Sequence, residues 1–97
     1  MEGGKSVHSP FLSLRFVKVA NLGLARVSAV APQKIAKKAV ERNRLRRLMY
    51  EALAPVYEGI APDALIVVLI KAEAVGCKLP ILKEKMKEVF VKAGLLK

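Results

Sequence analysis

Residues 34–47 combine basic and apolar side chains in one periodic pattern, and this pattern limits what the chain can fold into. The segment reads KIAKKAVERNRLRR and carries seven lysines and arginines against one glutamate. Apolar residues recur between the charges and continue to Leu53, a spacing typical of an amphipathic helix and not of a disordered basic tail. We therefore predict a helix over residues 34–53, which Ala54 and Pro55 end.

The two sides of this helix differ on a helical wheel of about 100° per residue. The apolar arc consists of Leu45, Leu48, Met49 and Ala52. The polar arc consists of Arg42, Asn43, Arg46, Arg47 and Tyr50. We expect the first arc to pack on a core and the second to bind phosphate, because the planar guanidinium group of arginine holds phosphate oxygens in a bidentate way.

The charge of the whole chain favours a polyanionic partner. A basic helix taken alone is equally well interpreted as a solvated charged face. Here, however, 18 lysines and arginines stand against 8 aspartates and glutamates, which gives a formal net charge of +10 on 97 residues. A small domain needs much less charge for solubility. The excess is typical of nucleic-acid binding, and we interpret the helix as an RNA-binding element.

The rest of the chain predicts a single α+β domain over residues 1–97. Residues 11–19 alternate as a strand, with Leu12, Leu14 and Phe16 on the core face. The other face is expected to carry Phe11, Ser13, Arg15 and Val17. Residues 25–31 form a second strand that we expect to pair with the first in antiparallel fashion. The apolar run 64–70 predicts a central strand covered on both faces or nearly so. A last amphipathic helix opens at residues 78–80 and stops at Gly94. The expected architecture is a two-layer sandwich of helices on a mostly antiparallel sheet.

The residues that could carry catalysis or hold a metal are isolated from one another in the sequence. Cys77 is the single cysteine and His8 the single histidine, so we predict no catalytic constellation and no metal site in the protein. The longest apolar run is too short to span a bilayer. No charged segment with a following apolar stretch and cleavage site opens the chain, so we expect a cytoplasmic protein.

Several motifs of the chain, in their order, resemble the bacterial ribonuclease P protein subunit. They are SPFLSLRF, then RVSAVA, then KIAKK followed by AVERNRLRR, then DALIVVLIK and the last amphipathic helix. The resemblance covers nearly the whole chain and implies a left-handed β-α-β crossover through the basic helix. Family members usually carry an N-terminal helix before these motifs. The chain starts after that point, so either the helix is lost or the translation start lies upstream.

The resemblance implies a protein cofactor of the ribonucleoprotein that removes the 5′ leader from precursor tRNA. The partners would be the catalytic RNA subunit and precursor tRNA, with Mg²⁺ at the RNA active site and no small-molecule substrate. We expect RNA contacts from Lys34, Lys37, Lys38, Arg42, Asn43, Arg44, Arg46 and Arg47. We expect leader contacts from Phe11, Ser13, Arg15 and Tyr50.

Two other classes of protein would use the same basic helix. A ribosomal or non-specific RNA-binding protein would bind RNA without a processing role. A DNA-binding regulator would place the helix in the major groove, and we rank it lowest because no helix-turn-helix spacing accompanies the helix.

Overall fold

Four strands and two α-helices make up residues 4–96, the part of the chain that the computed structural model describes. The helix that family members carry before these motifs would lie outside the described residues. In chain order the elements are β1 Lys5–His8, β2 Leu12–Lys18, β3 Ala25–Val30, α1 Ala39–Tyr57, β4 Ala64–Ile70, a short 3₁₀ turn Ala72–Ala74, and α2 Leu79–Lys92. The sequence pattern missed β1 and the 3₁₀ turn.

The sheet has the strand order β1-β2-β4-β3. β2 pairs with β1 and β4 in antiparallel fashion, and β3 pairs with β4 in parallel. The prediction that β2 and β3 are neighbours was wrong, because β4 lies between them. Asp63 extends both ladders of β4 by one residue: its carbonyl accepts from the Val19 amide at 2.9 Å and its amide donates to the Leu24 carbonyl at 3.0 Å. Both ends of the β2–β3 connection, at Val19 and Leu24, are therefore hydrogen-bonded to the residue that directly precedes β4.

Both helices pack on one face of the sheet, which confirms the two-layer α+β sandwich. Leu12, Leu14 and Phe16 of β2 are buried there, as their alternation predicts. They share one core with the buried faces of both helices. The unit β3-α1-β4 is a crossover between parallel strands. Its left-handedness stays an expectation from the resemblance.

The other face of the sheet is only partly covered within residues 4–96, where Ser13 of β2 is buried but its neighbours on β4 are not. Leu65 of β4 is 40% exposed, and Val67 and Leu69 are only half-buried. The prediction that β4 is a central strand is confirmed, because β4 lies between β2 and β3. The expectation that its two faces are covered or nearly so holds for the helix side, whereas the other side is only partly covered. We call this surface, which also carries Ser13 and Arg15 of β2 and Arg26 of β3, the open face.

α1 begins and ends later than its pattern predicts. The Pro32 carbonyl accepts from the amides of Ile35 and Ala36 at 2.9 and 3.2 Å, which forms a separate turn, and Lys38 is extended with ψ 136° before the helix starts at Ala39. At the other end, Pro55 lies inside the last turn. Burial of Val56 and a hydrogen bond from Tyr57 hold that turn helical although proline removes a backbone donor.

α2 agrees with its prediction. Leu82, Met86, Val89 and Phe90 are buried along one stripe, and Gly94 ends the helix region with φ +76°, a left-handed conformation that costs glycine little.

Candidate nucleic-acid interface

The polar arc of α1 faces the outer edge of β3 across an open groove. The groove is lined at its N-terminal end by Ala29, Val30, Ala31, Ala39, Arg42, Asn43 and Arg46, and continues past Arg47 to Tyr50. We call this surface the arginine groove. The helical period places these side chains on one side, so the wheel prediction is confirmed for Arg42, Asn43, Arg46, Arg47 and Tyr50. The groove is open to solvent and bordered by cationic donors, a shape and charge that suit a phosphate backbone.

Tyr50 is fixed at the far end of the arginine groove. Its hydroxyl accepts a hydrogen bond from the Ala29 amide of β3 at 3.2 Å, while the residue remains 45% exposed. The ring is therefore held in one orientation without being buried.

Arg42 has a structural role that the sequence did not reveal. Its Nη1 donates to the carbonyls of Ala36 and Lys37 at 3.0 and 2.7 Å. These bonds hold the loop before α1 against the first turn of the helix. The sequence offered no signal for them because the accepting carbonyls belong to residues that the periodicity assigned to the helix itself.

The eight predicted RNA-binding residues occupy three places. Arg42, Asn43, Arg46 and Arg47 share the arginine groove. Lys34, Lys37 and Lys38 are exposed and lie in the loop before α1, not on the helix. Arg44 lies on the other flank of α1, where it borders a shallow pocket with Ile35, Ala36, Glu41, Leu45 and Val75. The structure thus separates Arg44 from the other arginines of the motif.

The four predicted leader-binding residues do not share one surface. Ser13 and Arg15 lie on the open face, where the Ser13 hydroxyl is hydrogen-bonded to His8 Nδ1 at 2.9 Å and Arg15 is opposite Val67. Tyr50 lies in the arginine groove. Phe11 packs against the core, and its ring centroid is 5.3 Å from Nζ of Lys85 on α2.

Phe11 leaves the open face because the strand alternation does not extend to it. Ser9 bonds to Leu12 three times: its amide and its hydroxyl both donate to the Leu12 carbonyl, and the hydroxyl accepts from the Leu12 amide. This turn bends the chain at Phe11, so the prediction that Phe11 faces the same way as Ser13 was wrong. The sequence reasoning also missed Arg26, which stands opposite Leu65 on the open face.

Residues 4–96 contain neither a metal-ligating cluster nor a membrane-spanning helix. Within this range no three His, Cys, Asp or Glu side chains come close enough together to hold a metal ion. None of the helices there is long and apolar enough to cross a membrane.

The fold and the arginine groove define a class: small, basic α+β proteins in which one side of a helix carries several arginines beside the edge of a sheet. Comparison with known proteins narrows the class. A sequence model of the Ribonuclease P family matches residues 1–94. The ribonuclease P protein component of Rippkaea orientalis is 30% identical over 97 residues, covering 96% of this chain and 76% of that protein. That of Symbiobacterium thermophilum is 37% identical over 71 residues, covering 73% of this chain and 61% of that protein.

Solved structures agree on the fold. The RNase P protein of Staphylococcus aureus matches with a TM-score of 0.83 at 18% identity, covering 97% of this chain and 84% of that one. The RNase P protein of Thermotoga maritima matches with a TM-score of 0.77 at 24% identity, covering 88% and 79%. The chain belongs to the ribonuclease P protein family.

Proposed function

We propose that this chain is the protein subunit of a ribonuclease P ribonucleoprotein that removes the 5′ leader from precursor tRNA. The observation that carries the proposal is the arginine groove of α1, found in a chain that belongs to this family. The RNA subunit would perform the chemistry and the protein would bind it, in the cytoplasm.

The protein's contribution in this proposal is electrostatic. Two polyanions, the RNA subunit and precursor tRNA, must approach each other, and the net charge of +10 lowers their repulsion. Arg46 and Arg47 are exposed in the arginine groove and are free to reach phosphate oxygens, and Asn43 adds a neutral donor and acceptor. Mg²⁺ bound by RNA phosphates would supply the activated water.

The open face is the surface we propose for the leader. It combines two cations, Arg15 and Arg26, with the exposed or half-buried apolar side chains Leu65, Val67 and Leu69. Single-stranded nucleic acid is bound by grooves that combine cations for the backbone with aromatic side chains on which the bases stack. The open face offers the cations on a rigid sheet, with aliphatic side chains in place of aromatic ones.

The proposal is tested by comparing precursor tRNA, carrying a leader of several nucleotides, with mature tRNA. Each is bound to ribonuclease P RNA with and without this chain. We expect precursor tRNA to bind at least about five-fold more tightly only when the chain is present, since one charge-assisted hydrogen bond from Arg15 or Arg26 to a leader phosphate contributes about 1.5 kcal/mol. Arg15→Ala should reduce this preference, whereas Lys87→Ala, which removes an exposed charge on α2, should not. An equal preference with and without the chain would contradict a leader-binding role.

A further inference from the structure

A second groove continues from the arginine groove toward the C-terminal end of α1. It has a volume of about 750 Å³ and is lined by Leu24, Ala25, Arg26, Val27, Ser28, Tyr50, Leu53, Ala54, Tyr57 and Glu58. We call it the tyrosine pocket. Tyr50 belongs to both surfaces, so a nucleic-acid strand bound in the arginine groove would pass directly into the tyrosine pocket.

Two tyrosine rings are held at this pocket by their hydroxyl groups. Tyr57 donates to the Ala25 carbonyl at 2.6 Å, and Tyr50 accepts from the Ala29 amide at 3.2 Å. The two rings are separated by seven residues on one side of α1, about 10 Å along the helix axis. Tyr57 is 42% exposed, close to the value for Tyr50. Both rings are therefore oriented in advance and still accessible.

The edge of β3 offers backbone hydrogen-bonding groups between the two rings. β3 is the last strand of the sheet and pairs only with β4. The outward-pointing groups of Ala25 and Ala29 are those that meet the tyrosines, so the strand's two-residue alternation directs the N–H and C=O of Val27 outward as well. Among residues 4–96, no side chain hydrogen-bonds to these Val27 groups.

We propose that the tyrosine pocket binds an unpaired nucleobase of the RNA subunit, next to a phosphate track in the arginine groove. A nucleobase needs an aromatic or apolar face to stack on and a hydrogen-bonding edge to pair with. The tyrosine rings supply the face, and the Val27 backbone supplies one donor and one acceptor. Glu58 can accept from an exocyclic amino group, and its charge is offset by that of Arg26, which also lines the pocket. The tyrosine pocket therefore carries no net formal charge, whereas Arg46 and Arg47 make the adjacent groove cationic, so charge places the base here and the backbone at Arg46.

This inference rests on the proposed function and deepens it. The RNA subunit is the occupant because the pocket is continuous with the arginine groove. The leader is assigned to the open face, which borders the pocket at Arg26. A second copy of the chain, pairing its own β3 edge here, is the competing occupant, since a free sheet edge can template pairing.

The test measures the affinity of the full chain for ribonuclease P RNA without tRNA. We expect Tyr57→Leu to weaken binding at least about five-fold through the loss of one stacked base. Tyr57→Phe keeps the ring and should retain most of the affinity. Ala54→Gln fills the pocket from an exposed helix position without removing a core contact and should weaken binding as Tyr57→Leu does. Circular dichroism and thermal melting of each variant check that it folds.

A second measurement needs no variant. The chain has two tyrosines and no tryptophan, so its intrinsic fluorescence reports on the two residues at the tyrosine pocket. A short single-stranded oligoribonucleotide should quench this fluorescence. An oligonucleotide with the same number of phosphates but abasic sites should bind at least about five-fold more weakly and quench less.

The possible results separate the inference from the function on which it rests. If the wild-type chain fails to bind ribonuclease P RNA, the proposed function falls and the inference with it. If it binds, but Tyr57→Leu and Ala54→Gln bind equally well, only the tyrosine pocket is refuted. A loss of leader preference with unchanged affinity for the RNA subunit would also overturn the assignment. The assignment would also be overturned if the chain formed a dimer through its β3 edge that RNA does not displace and that Ala54→Gln dissociates.

Discussion

Arg46→Ala tests whether the arginine groove touches RNA. Arg46 lines both parts of the groove and is exposed. Within residues 4–96 its guanidinium makes no ion pair, since the salt bridge found there joins Lys85 to Glu88. The substitution therefore removes a group that is free to bind phosphate and costs little folding stability, within about 0.5 kcal/mol.

The expected loss of affinity follows from one phosphate contact. A charge-assisted hydrogen bond contributes about 1.5 kcal/mol, which is roughly tenfold in Kd at low salt. Each neutralised phosphate contributes roughly 0.7 to 0.9 to the slope of log K against log salt. Between 50 and 200 mM salt, the gap between wild type and variant should therefore shrink about threefold. Filter binding or fluorescence anisotropy with ribonuclease P RNA across this range measures both quantities.

Arg44→Ala is the matched control. It removes the same charge from the same helix two residues away, but Arg44 lies on the other flank, beside Glu41 and Val75. Long-range attraction to RNA falls equally in both variants, so only the local contact differs. We expect the slope to change by less than about half as much as for Arg46→Ala. Equal losses from the two variants would refute a specific role for the groove.

Three further predictions concern stability and the loop before α1. Met49→Ala, at a fully buried position, should lower the free energy of unfolding by about 2 to 5 kcal/mol in urea denaturation, whereas Val40→Ala, at an exposed position on the same helix, should change it by less than about 0.5 kcal/mol. Gly94→Ala should cost about 1 to 2 kcal/mol by thermal melting, because φ is +76° while the space around a Cβ is open, and an unchanged Tm would contradict this backbone reasoning. Arg42→Lys, which has no guanidinium fork to bridge two carbonyls, should speed amide hydrogen exchange in residues 34–38 while leaving β2 unchanged; equal protection in both proteins would show that these bonds do not hold the loop.

The periodicity of apolar residues in the sequence predicted which faces of the strands and helices are buried. The alternation of Leu12, Leu14 and Phe16 and the apolar stripe of α2 gave the right buried faces. The strand order could not be predicted in this way, because it depends on the pairing of β4 with β2 and β3, whose residues are far away in sequence. Nothing in a strand's own pattern states which strand lies beside it.

In the candidate site too, local periodicity predicted some features and missed those that depend on other contacts. The helical period correctly grouped the arginine groove residues. It left Arg44 out of both arcs, although Arg44 was predicted to bind RNA with them, and the structure places it on the other flank of α1. It failed at Phe11 because a side-chain turn from Ser9 overrides the strand alternation. It also failed at residues 34–38, where helix-like spacing continues although the chain forms a separate turn after Pro32. Tyr57 was missed because its partner, the Ala25 carbonyl, is 32 residues away.

The most direct test of the proposed function is reconstitution with a bacterial ribonuclease P RNA at low Mg²⁺, scored by cleavage of the precursor tRNA leader. We predict no cleavage by the chain alone, slow cleavage by the RNA alone and clear stimulation when both are present. Stimulation should weaken with Arg46→Ala in proportion to the loss of RNA affinity. Cleavage by the protein in the verified absence of RNA, or RNA-dependent cleavage that the chain does not stimulate, would contradict the account.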